Sequence, residues 1–231
     1  MALLTAAEWQ ILGLSLKVAF WSVACSLPLA VGIAALLTRS NFPGKSVFDA
    51  VVHLPLVLPP VVVGYFLLLV LGRRGALGAL LEEYLGVVVA FRWTGAAIAC
   101  AIMGFPLMVR AIRLSIEAVD RRLEDAAATL GASPFWVFAT VTLPLSASGI
   151  CAGMVLCFAK AMGEFGATIT FVSSIPGETR TLSSAIYGFT QTPGGDAGAL
   201  RLTAVSVALS VLALLISEWL AGRVGKRIGQ R

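Results

Sequence analysis

Charged residues are scarce in this sequence. Its 231 residues include 17 basic and 12 acidic side chains, so only 13% of the chain is charged, whereas 58% is apolar. Soluble domains contain about 25% charged residues, and a soluble fold of this size could not cover so much apolar surface with so few charges. The high apolar content also excludes an intrinsically disordered chain. The composition therefore indicates an integral membrane protein.

Cysteine and histidine are also rare, and several catalytic motifs are missing. His53 is the only histidine, which excludes a histidine-based metal site. The cysteines lack CxxC or zinc-finger spacing, so we expect small buried apolar side chains. They are Cys25, Cys100, Cys151 and Cys157. Without a Walker A, Gly-x-Ser-x-Gly or HExxH motif, we expect no catalytic residue, no bound metal and no ATP hydrolysis by this chain. The net charge of +5 does not indicate nucleic-acid binding in a membrane protein.

Five apolar stretches are long enough to cross a membrane. They cover residues 11–37, 51–71, 87–109, 143–172 and 202–221. Each can cross a hydrocarbon core of about 30 Å as a helix, which satisfies its backbone hydrogen bonds internally. A shorter stretch, residues 77–85, predicts an interfacial helix. The sequence thus predicts an all-α, polytopic transmembrane helical bundle of about five spans, in which residues 1–231 form a single domain.

Six prolines lie within these predicted spans. Each removes one helix hydrogen bond and bends the axis. Kinked helices suit a pathway that opens and closes, although proline is generally commoner in membrane helices than in soluble ones. The prolines are Pro28, Pro55, Pro59, Pro60, Pro106 and Pro144.

Basic residues are unevenly distributed between the two sides of the predicted bundle. If the C-terminus is cytoplasmic, five spans place the N-terminus outside. The inner side then carries Arg39, Lys45, Arg110, Arg113, Arg121, Arg122, Arg223, Lys226, Arg227 and Arg231. The outer segments and span ends carry Lys17, Arg73, Arg74, Arg92, Arg180 and Arg201. Because basic residues favour the cytoplasmic side, this distribution supports that orientation.

The inner segment over residues 118–142 predicts two short helices joined by a hinge. Asp120 is a suitable N-cap for the first helix, and Gly131 supplies the left-handed residue that commonly follows a helix. Ser133 followed by Pro134 is typical of a second helix start.

The first of these helices combines small residues with flanking charges. Ala126 to Ala128 leave a smooth face that suits a groove on another protein, and the charges around it would fix the orientation of docking. Glu117 and Arg121, and Arg121 and Asp125, have the spacing of i,i+4 ion pairs. The pattern therefore predicts either a docking helix or simply a cytoplasmic helix hairpin.

This segment resembles the EAA loop of ABC importer permeases. That pattern is Glu-Ala-Ala, three residues, Gly, nine residues, Ile, one residue and Leu-Pro. The matching residues here are Asp125, Ala126, Ala127, Gly131, Val141, Leu143 and Pro144. Asp125 replaces the family's Glu and Val141 its Ile. Glu124 precedes Asp125, so either carboxylate could serve as the acidic contact.

In that family this loop is the coupling helix, which lies in a groove of the ATP-hydrolysing subunit. The resemblance implies the same role here for a set of residues within the segment. They are Asp120, Arg121, Arg122, Glu124, Asp125, Ala126, Ala127, Gly131 and Ser133.

Over nearly the whole chain, the resemblance is to the molybdate-type oxyanion permeases. It is carried by residues 42–46, 53–64, 158–168 and 175–187. The related sulfate permeases share the Gly-Glu-Phe-Gly tetrapeptide, but the Ile-Pro-Gly-x-Thr-x-Thr-Leu run favours molybdate. Tungstate is not distinguished from molybdate, and sulfate or thiosulfate remains an alternative. An intramembrane enzyme or assembly factor is a more distant one.

The resemblance also implies an architecture and a set of partners. The fold would be that of a type I ABC importer permease in the bacterial inner membrane, working by alternating access. The expected partners are a second copy of this chain, two ABC ATPase subunits and an extracytoplasmic molybdate-binding protein, besides membrane lipid. ATP and Mg²⁺ would be bound by the ATPase subunits, so we expect no cofactor in this chain.

Lys160 and Glu164 are the ionisable residues deepest in an apolar stretch. Their i,i+4 spacing places them on one helix face, and charges within a membrane are costly and commonly functional. In one interpretation Lys160 attracts a dianion and Glu164 neutralises it in the closed state, while Gly163 and Gly166 either allow close helix packing or let this helix end. In the other, Lys160 lies near the outer interface, and its ammonium group reaches the polar boundary with Glu164 as partner.

An outer segment, residues 181–190, has Leu182, Ile186 and Phe189 on one helix face. This spacing predicts an amphipathic helix at the outer surface. We favour a role in capping the bundle over one as a landing site for the binding protein.

Overall fold

A computed structural model describes residues 4–229, and every regular element in that range is a helix. The first half contains α1 (Ala6–Arg39), α2 (Lys45–Val57), α3 (Pro60–Leu71), α4 (Ala76–Leu85) and α5 (Trp93–Glu117). The second half contains α6 (Arg121–Thr129), α7 (Pro134–Val137), a π-helix (Phe138–Thr142), α8 (Leu143–Leu145), α9 (Ala147–Met162), α10 (Gly166–Val172), α11 (Leu182–Thr190) and α12 (Asp196–Gly229).

Three of these helices are long and apolar enough to cross a membrane as single elements. They are α1, α5 and the first part of α12. Two further candidates are pairs of helices that are bent at a short break: α2 with α3, and the Pro134–Leu145 helices with α9. If each bent pair counts as one crossing, the described residues hold five, in agreement with the predicted all-α bundle of about five spans.

The second predicted span, residues 51–71, is divided into two helices that meet at an angle of 112°. The division falls at two successive prolines. Pro60 lacks the N–H that would continue α2, and it lies at the first position of α3, where no donor is needed. Leu58 and Pro59 accordingly adopt extended backbone between the helices.

The fourth predicted span, residues 143–172, is also interrupted. A 69° bend separates α8 from α9 at Ser146. Farther on, α9 ends at Met162 and α10 begins at Gly166, so Gly163, Glu164 and Phe165 lie outside both helices. The expectation that Lys160 and Glu164 share one continuous helix face is therefore wrong.

The centre of the bundle is α5, which packs against α1 and α9. Small residues allow the close approach of α5 and α9. A Cβ added at Gly104 would lie 2.6 Å from Cys157 Sγ, and one at Gly149 would lie 2.2 Å from Ser115 Cβ. Cys100 and Cys157 are buried in this core.

The other two cysteines differ from the expectation of burial. Cys25 is exposed on α1, and Cys151 is half-buried on α9. The reason is that lipid replaces water around a span, so an apolar segment need not bury every face against protein.

Two shorter helices cross at a second close contact. A Cβ at Gly64 of α3 would lie 2.5 Å from the backbone oxygen of Ala167 in α10, and one at Gly166 would lie 2.8 Å from Pro60 Cβ. The α3–α10 crossing therefore places the second helix of the first bent pair against the helix that follows the second bent pair. Four of the basic residues that the predicted orientation places on the inner side lie wholly or partly outside the described residues. They are Arg231, and the side chains of Arg223, Lys226 and Arg227.

Candidate functional site

Both ends of α6 have the caps that the sequence predicts. Asp120 has extended backbone and its carboxylate accepts a hydrogen bond of 3.0 Å from the N–H of Arg122. At the other end Gly131 has φ +88°. The N–H groups of Gly131 and Ala132 donate to the carbonyl oxygens of Ala128 and Ala127, at 3.0 and 3.2 Å. This pair of bonds is a Schellman motif, which satisfies the last carbonyl groups of the helix.

The second predicted helix is less regular. Ser133 precedes α7 with extended backbone, but its side chain makes no capping hydrogen bond. After four residues α7 passes into the π-helix, whose last residue is Thr142. Pro144 follows, and because it has no N–H, it cannot complete a regular ladder of hydrogen bonds here. Residues 134–142 thus form an interrupted helix.

The ion pairs expected along α6 are not formed. Because α5 ends at Glu117 and α6 begins at Arg121, these two residues lie on different helices. Glu117 instead accepts a bond of 2.9 Å from Arg113, which also contacts Asp49 at 3.1 Å.

The two neighbouring carboxylates of α6 face different surroundings. Glu124 Oε1 lies 2.5 Å from Arg39 Nη2 at the end of α1, and it also accepts a hydrogen bond from the Thr142 hydroxyl. Its side chain is only 16% exposed. Asp125 is exposed and forms no ion pair among the described residues. Glu124 therefore binds other side chains of this protein, whereas the Asp125 side chain remains accessible to a partner.

Sequence reasoning missed an exposed apolar surface around the hinge between α6 and α7. We call it the hinge patch; it consists of Leu123, Leu130, Phe135 and Trp136. Leu130 is 89% exposed and Phe135 is 73% exposed, although both are large apolar side chains. The Phe135 and Trp136 rings lie side by side, with centroids 6.3 Å apart, and large exposed apolar surface commonly marks an interaction site. The signal in the sequence was the presence of these residues beside a turn at Gly131, where the short helices cannot bury them.

The charged pair forms across the break between α9 and α10. Lys160 Nζ lies 2.7 Å from Glu164 Oε2. Glu164 Oε1 accepts a hydrogen bond of 3.0 Å from the N–H of Ala167, in the first turn of α10. The Glu164 side chain is 1% exposed and that of Lys160 is 29% exposed. Glu164 therefore joins the end of one helix to the beginning of the next.

Neighbouring elements hold this break in place. Gly163 caps α9, and the N–H of Gly163 donates to the carbonyl of Ala159. Gly166 lies against Pro60 of α3, and the Ser183 hydroxyl of α11 donates to the carbonyl of Met162 at 3.2 Å. The break is thus packed beneath α3 and α11 and is not a free loop.

The predicted outer amphipathic helix is α11. Leu182 and Ala185 are buried in the core, and the N–H of Leu182 donates to Ser15 Oγ of α1 at 2.7 Å. The Tyr187 ring contacts that of Phe165 at the break, with centroids 5.0 Å apart. These contacts agree with the favoured role of capping the bundle.

The chain matches one family model and several curated proteins along most of its length. The family model described as "Binding-protein-dependent transport system inner membrane component" matches residues 26–226. The chain is 58% identical over 228 residues to the molybdenum transport system permease protein ModB of Escherichia coli K12, covering 99% of this chain and 100% of that protein. It is 54% identical over 223 residues to ModB of Haemophilus influenzae, covering 96% and 97%.

A curated relative that is named a sulfate permease has a lower sequence identity to this chain. The chain is 38% identical over 199 residues to the chloroplastic sulfate permease 2 of Chlamydomonas reinhardtii, covering 85% of this chain and 54% of that protein.

Solved structures show the same fold at low sequence identity. A bacterial ABC transporter involved in the import of the acidic polysaccharide alginate matches with a TM-score of 0.71 and 15% identity, covering 96% of this chain and 80% of that one. The MetNI methionine ABC transporter in inward-facing conformations matches with a TM-score of 0.66 and 12% identity, covering 94% of each chain. The fold of this chain is therefore that of ABC importer permeases.

Proposed function

The chain belongs to the family of binding-protein-dependent transport system inner membrane components, and we propose that it is the membrane-spanning subunit of an ATP-driven molybdate importer. The observation that carries this proposal is the 58% identity to a molybdenum permease along 99% of the chain. The capped and exposed α6, in the position of the EAA loop, supports it independently.

We propose that the hinge patch and α6 together dock on the ATPase subunit. The patch supplies apolar contact area, and the accessible charges of Arg121, Arg122 and Asp125 would fix the register of docking. ATP and Mg²⁺ would be bound by the ATPase subunit, so this chain would supply the path and the coupling surface.

We propose a homodimer that binds two ATPase subunits and an extracytoplasmic binding protein. Five crossings are few for an enclosed path, and two copies related by a two-fold axis would double them. The α3 helix offers a face for such a contact, because Val61, Tyr65, Phe66 and Leu69 are exposed along it. Such a surface faces either lipid or a second copy of the chain.

We propose that the N-terminus lies outside and the C-terminus in the cytoplasm. The contact between Arg39 and Glu124 supports this orientation, since it places the C-terminal end of α1 beside the coupling segment. The N-terminus of α1 then lies on the opposite side. The excess of basic residues on the inner side agrees with it.

We propose that Lys160 contributes to the path for the oxyanion. Its partly exposed ammonium group would attract a dianion, while Glu164, fixed by Ala167, would neutralise it when the path is closed. Gly163 provides the helix end that lets Glu164 turn back toward Lys160. A weak, compensated charge suits a transporter, because a tight site would retain its cargo.

Reconstitution with the ATPase subunit and loaded binding proteins tests the substrate. We expect binding protein loaded with molybdate to stimulate ATP hydrolysis and oxyanion uptake into vesicles, and tungstate to do the same because its size and charge are similar. Binding protein loaded with sulfate or thiosulfate is the comparison, since the relative in Chlamydomonas is named a sulfate permease. Stimulation by the sulfate-loaded protein alone would reject the molybdate assignment.

A further inference from the structure

One side chain of α6, that of Glu124, forms an ion pair with a membrane-spanning helix. None of the nine residues of α6 is buried, and within α6 only Glu124 forms an ion pair with another described residue. Beside this contact lies a cavity of about 560 Å³, which is lined by α1 on one side and by the segment from Glu124 to Thr142 on the other. Apart from the chain connections at its two ends, α6 would therefore pass movement to the bundle through the contacts of Glu124 and through its packing on the π-helix.

On the side of α1, Glu124 contacts Arg39 in the last turn of that helix. The same guanidinium group also donates to the carbonyl of Ile116, near the end of α5, at 3.4 Å. Arg39 thus links α6 to the inner ends of two membrane-spanning helices. Both side chains are largely removed from solvent, so salt screens their attraction less than it screens a surface ion pair.

On the other side, Glu124 contacts Thr142 at the end of the π-helix. Thr142 is 1% exposed, and its hydroxyl donates to Glu124 instead of to a carbonyl of the preceding helical turn. Single turns of π-helix occur frequently at functional sites. The 69° bend at Ser146 follows directly, and α9 then leads to Lys160 and the break before α10.

We propose that Arg39, Glu124 and Thr142 form an internal latch through which movement of α6 is passed to α1 and to the beginning of α9. The proposal rests on the function proposed above, because it requires an ATPase subunit that moves α6. It separates two roles for adjacent acidic residues: Glu124 connects α6 to the bundle, and Asp125 is left to contact the partner.

The main test breaks the latch in the full complex, reconstituted in vesicles with ATPase and binding protein. Three quantities are measured: the amount of ATPase that copurifies, the rate of ATP hydrolysis and the molybdate taken up per ATP hydrolysed. In Glu124→Gln, Arg39→Gln and Thr142→Val we expect uptake per ATP to fall by about fivefold, while copurification and hydrolysis stay within about twofold of the native complex. The Glu124→Gln/Arg39→Gln double variant should be no worse than either single variant, because both break the same link.

The matched control is Glu117→Gln. It breaks an ion pair of 2.9 Å at the same end of the bundle. Both residues of that pair belong to α5, so the pair does not connect α6 to another helix. Uptake per ATP should stay native in this variant. Native uptake per ATP in both Glu124→Gln and Thr142→Val would overturn the latch. Loss of ATPase copurification in Glu124→Gln would also overturn it, since Glu124 would then be a docking contact.

A second measurement does not depend on the transported oxyanion. A fluorophore is attached at Asn41→Cys, an exposed position just beyond α1, in a chain whose exposed Cys25 is replaced by Ser. ATP should change the emission in the complex with an intact latch and not in the complex with Glu124→Gln. No change with the intact latch, or an equal change in both complexes, overturns the latch. Failure of the native complex to import molybdate would instead reject the proposed function.

Discussion

Glu8 and Arg201 form an ion pair that joins the N-terminal end of α1 to the beginning of α12. Arg201 Nη2 and Nε lie 2.8 and 3.0 Å from Glu8 Oε1, and the Glu8 side chain is only 2% exposed. Glu8 Oε2 also accepts a bond of 2.7 Å from the N–H of Thr5 in a capping box. The two residues are 193 positions apart in the sequence, so this contact fixes the first long helix against the last.

The first prediction follows from this pair. Arg201→Ala leaves the buried Glu8 carboxylate without its partner, and we expect a loss of about 1–3 kcal/mol of stability, less than for a fully buried pair because the Arg201 side chain is 43% exposed. Thermal unfolding in detergent measures the change. Arg180→Ala is the control, since Arg180 forms no ion pair with any described residue. Equal unfolding temperatures for the two variants would contradict the prediction.

The second prediction concerns the crossing of α3 and α10. Gly64→Ala places a methyl group about 2.5 Å from the backbone oxygen of Ala167, where neither backbone can yield easily. We expect destabilisation of roughly 1–3 kcal/mol from this overpacking. Gly13→Ala is a matched change, because that glycine also lies within a helix but has no atom within 4 Å of the added group. A native unfolding temperature in Gly64→Ala would show that α3 and α10 can move apart at this crossing without cost.

The third prediction tests the hinge patch. Phe135→Ala and Trp136→Ala should each weaken the association of the ATPase subunit by about 1–3 kcal/mol, as expected for large apolar side chains buried in an interface. Titration of the ATPase subunit onto the chain in nanodiscs gives the dissociation constant. The control is Tyr84→Ala on α4, an aromatic residue that is 76% exposed and distant from α6 in the sequence. Unchanged affinity in both patch variants would place the docking surface elsewhere.

The fourth prediction concerns the charged break. Lys160→Met should slow molybdate uptake while the ATPase subunit still copurifies, because the path loses its cation and Glu164 is left with an uncompensated charge. Adding Glu164→Gln removes that uncompensated charge, so the double variant should be more stable than Lys160→Met while the uptake rate stays low.

Lys17→Met provides the control for the fourth prediction. Lys17 also lies on an apolar helix, but its ammonium group lies over the Trp93 ring, 3.6 Å from the centroid. Native uptake in Lys160→Met would favour the interpretation in which Lys160 only reaches the outer interface.

Local features were predictable because they depend on neighbours in the chain. The Asp120 cap and the left-handed Gly131 follow from the needs of helix ends. The i,i+4 spacing of Lys160 and Glu164 pointed to a pair on one helix face, but the pair forms across the break between α9 and α10. The breaks were less predictable: prolines occur at Pro28 and Pro106 without ending α1 or α5, whereas α9 ends at Met162 without a proline.

The sequence by itself determined the membrane class, the all-helical fold and the caps of the segment that resembles the EAA loop, because long apolar runs and helix caps act through local chemistry and the surrounding lipid. Only the tertiary structure decided which of two adjacent carboxylates faces inward. Glu124 and Asp125 have the same charge and adjoining positions, and only the arrival of Arg39 and Thr142 from distant parts of the chain separates them. Contacts between such remote residues depend on how the helices pack, and no local pattern contains that information.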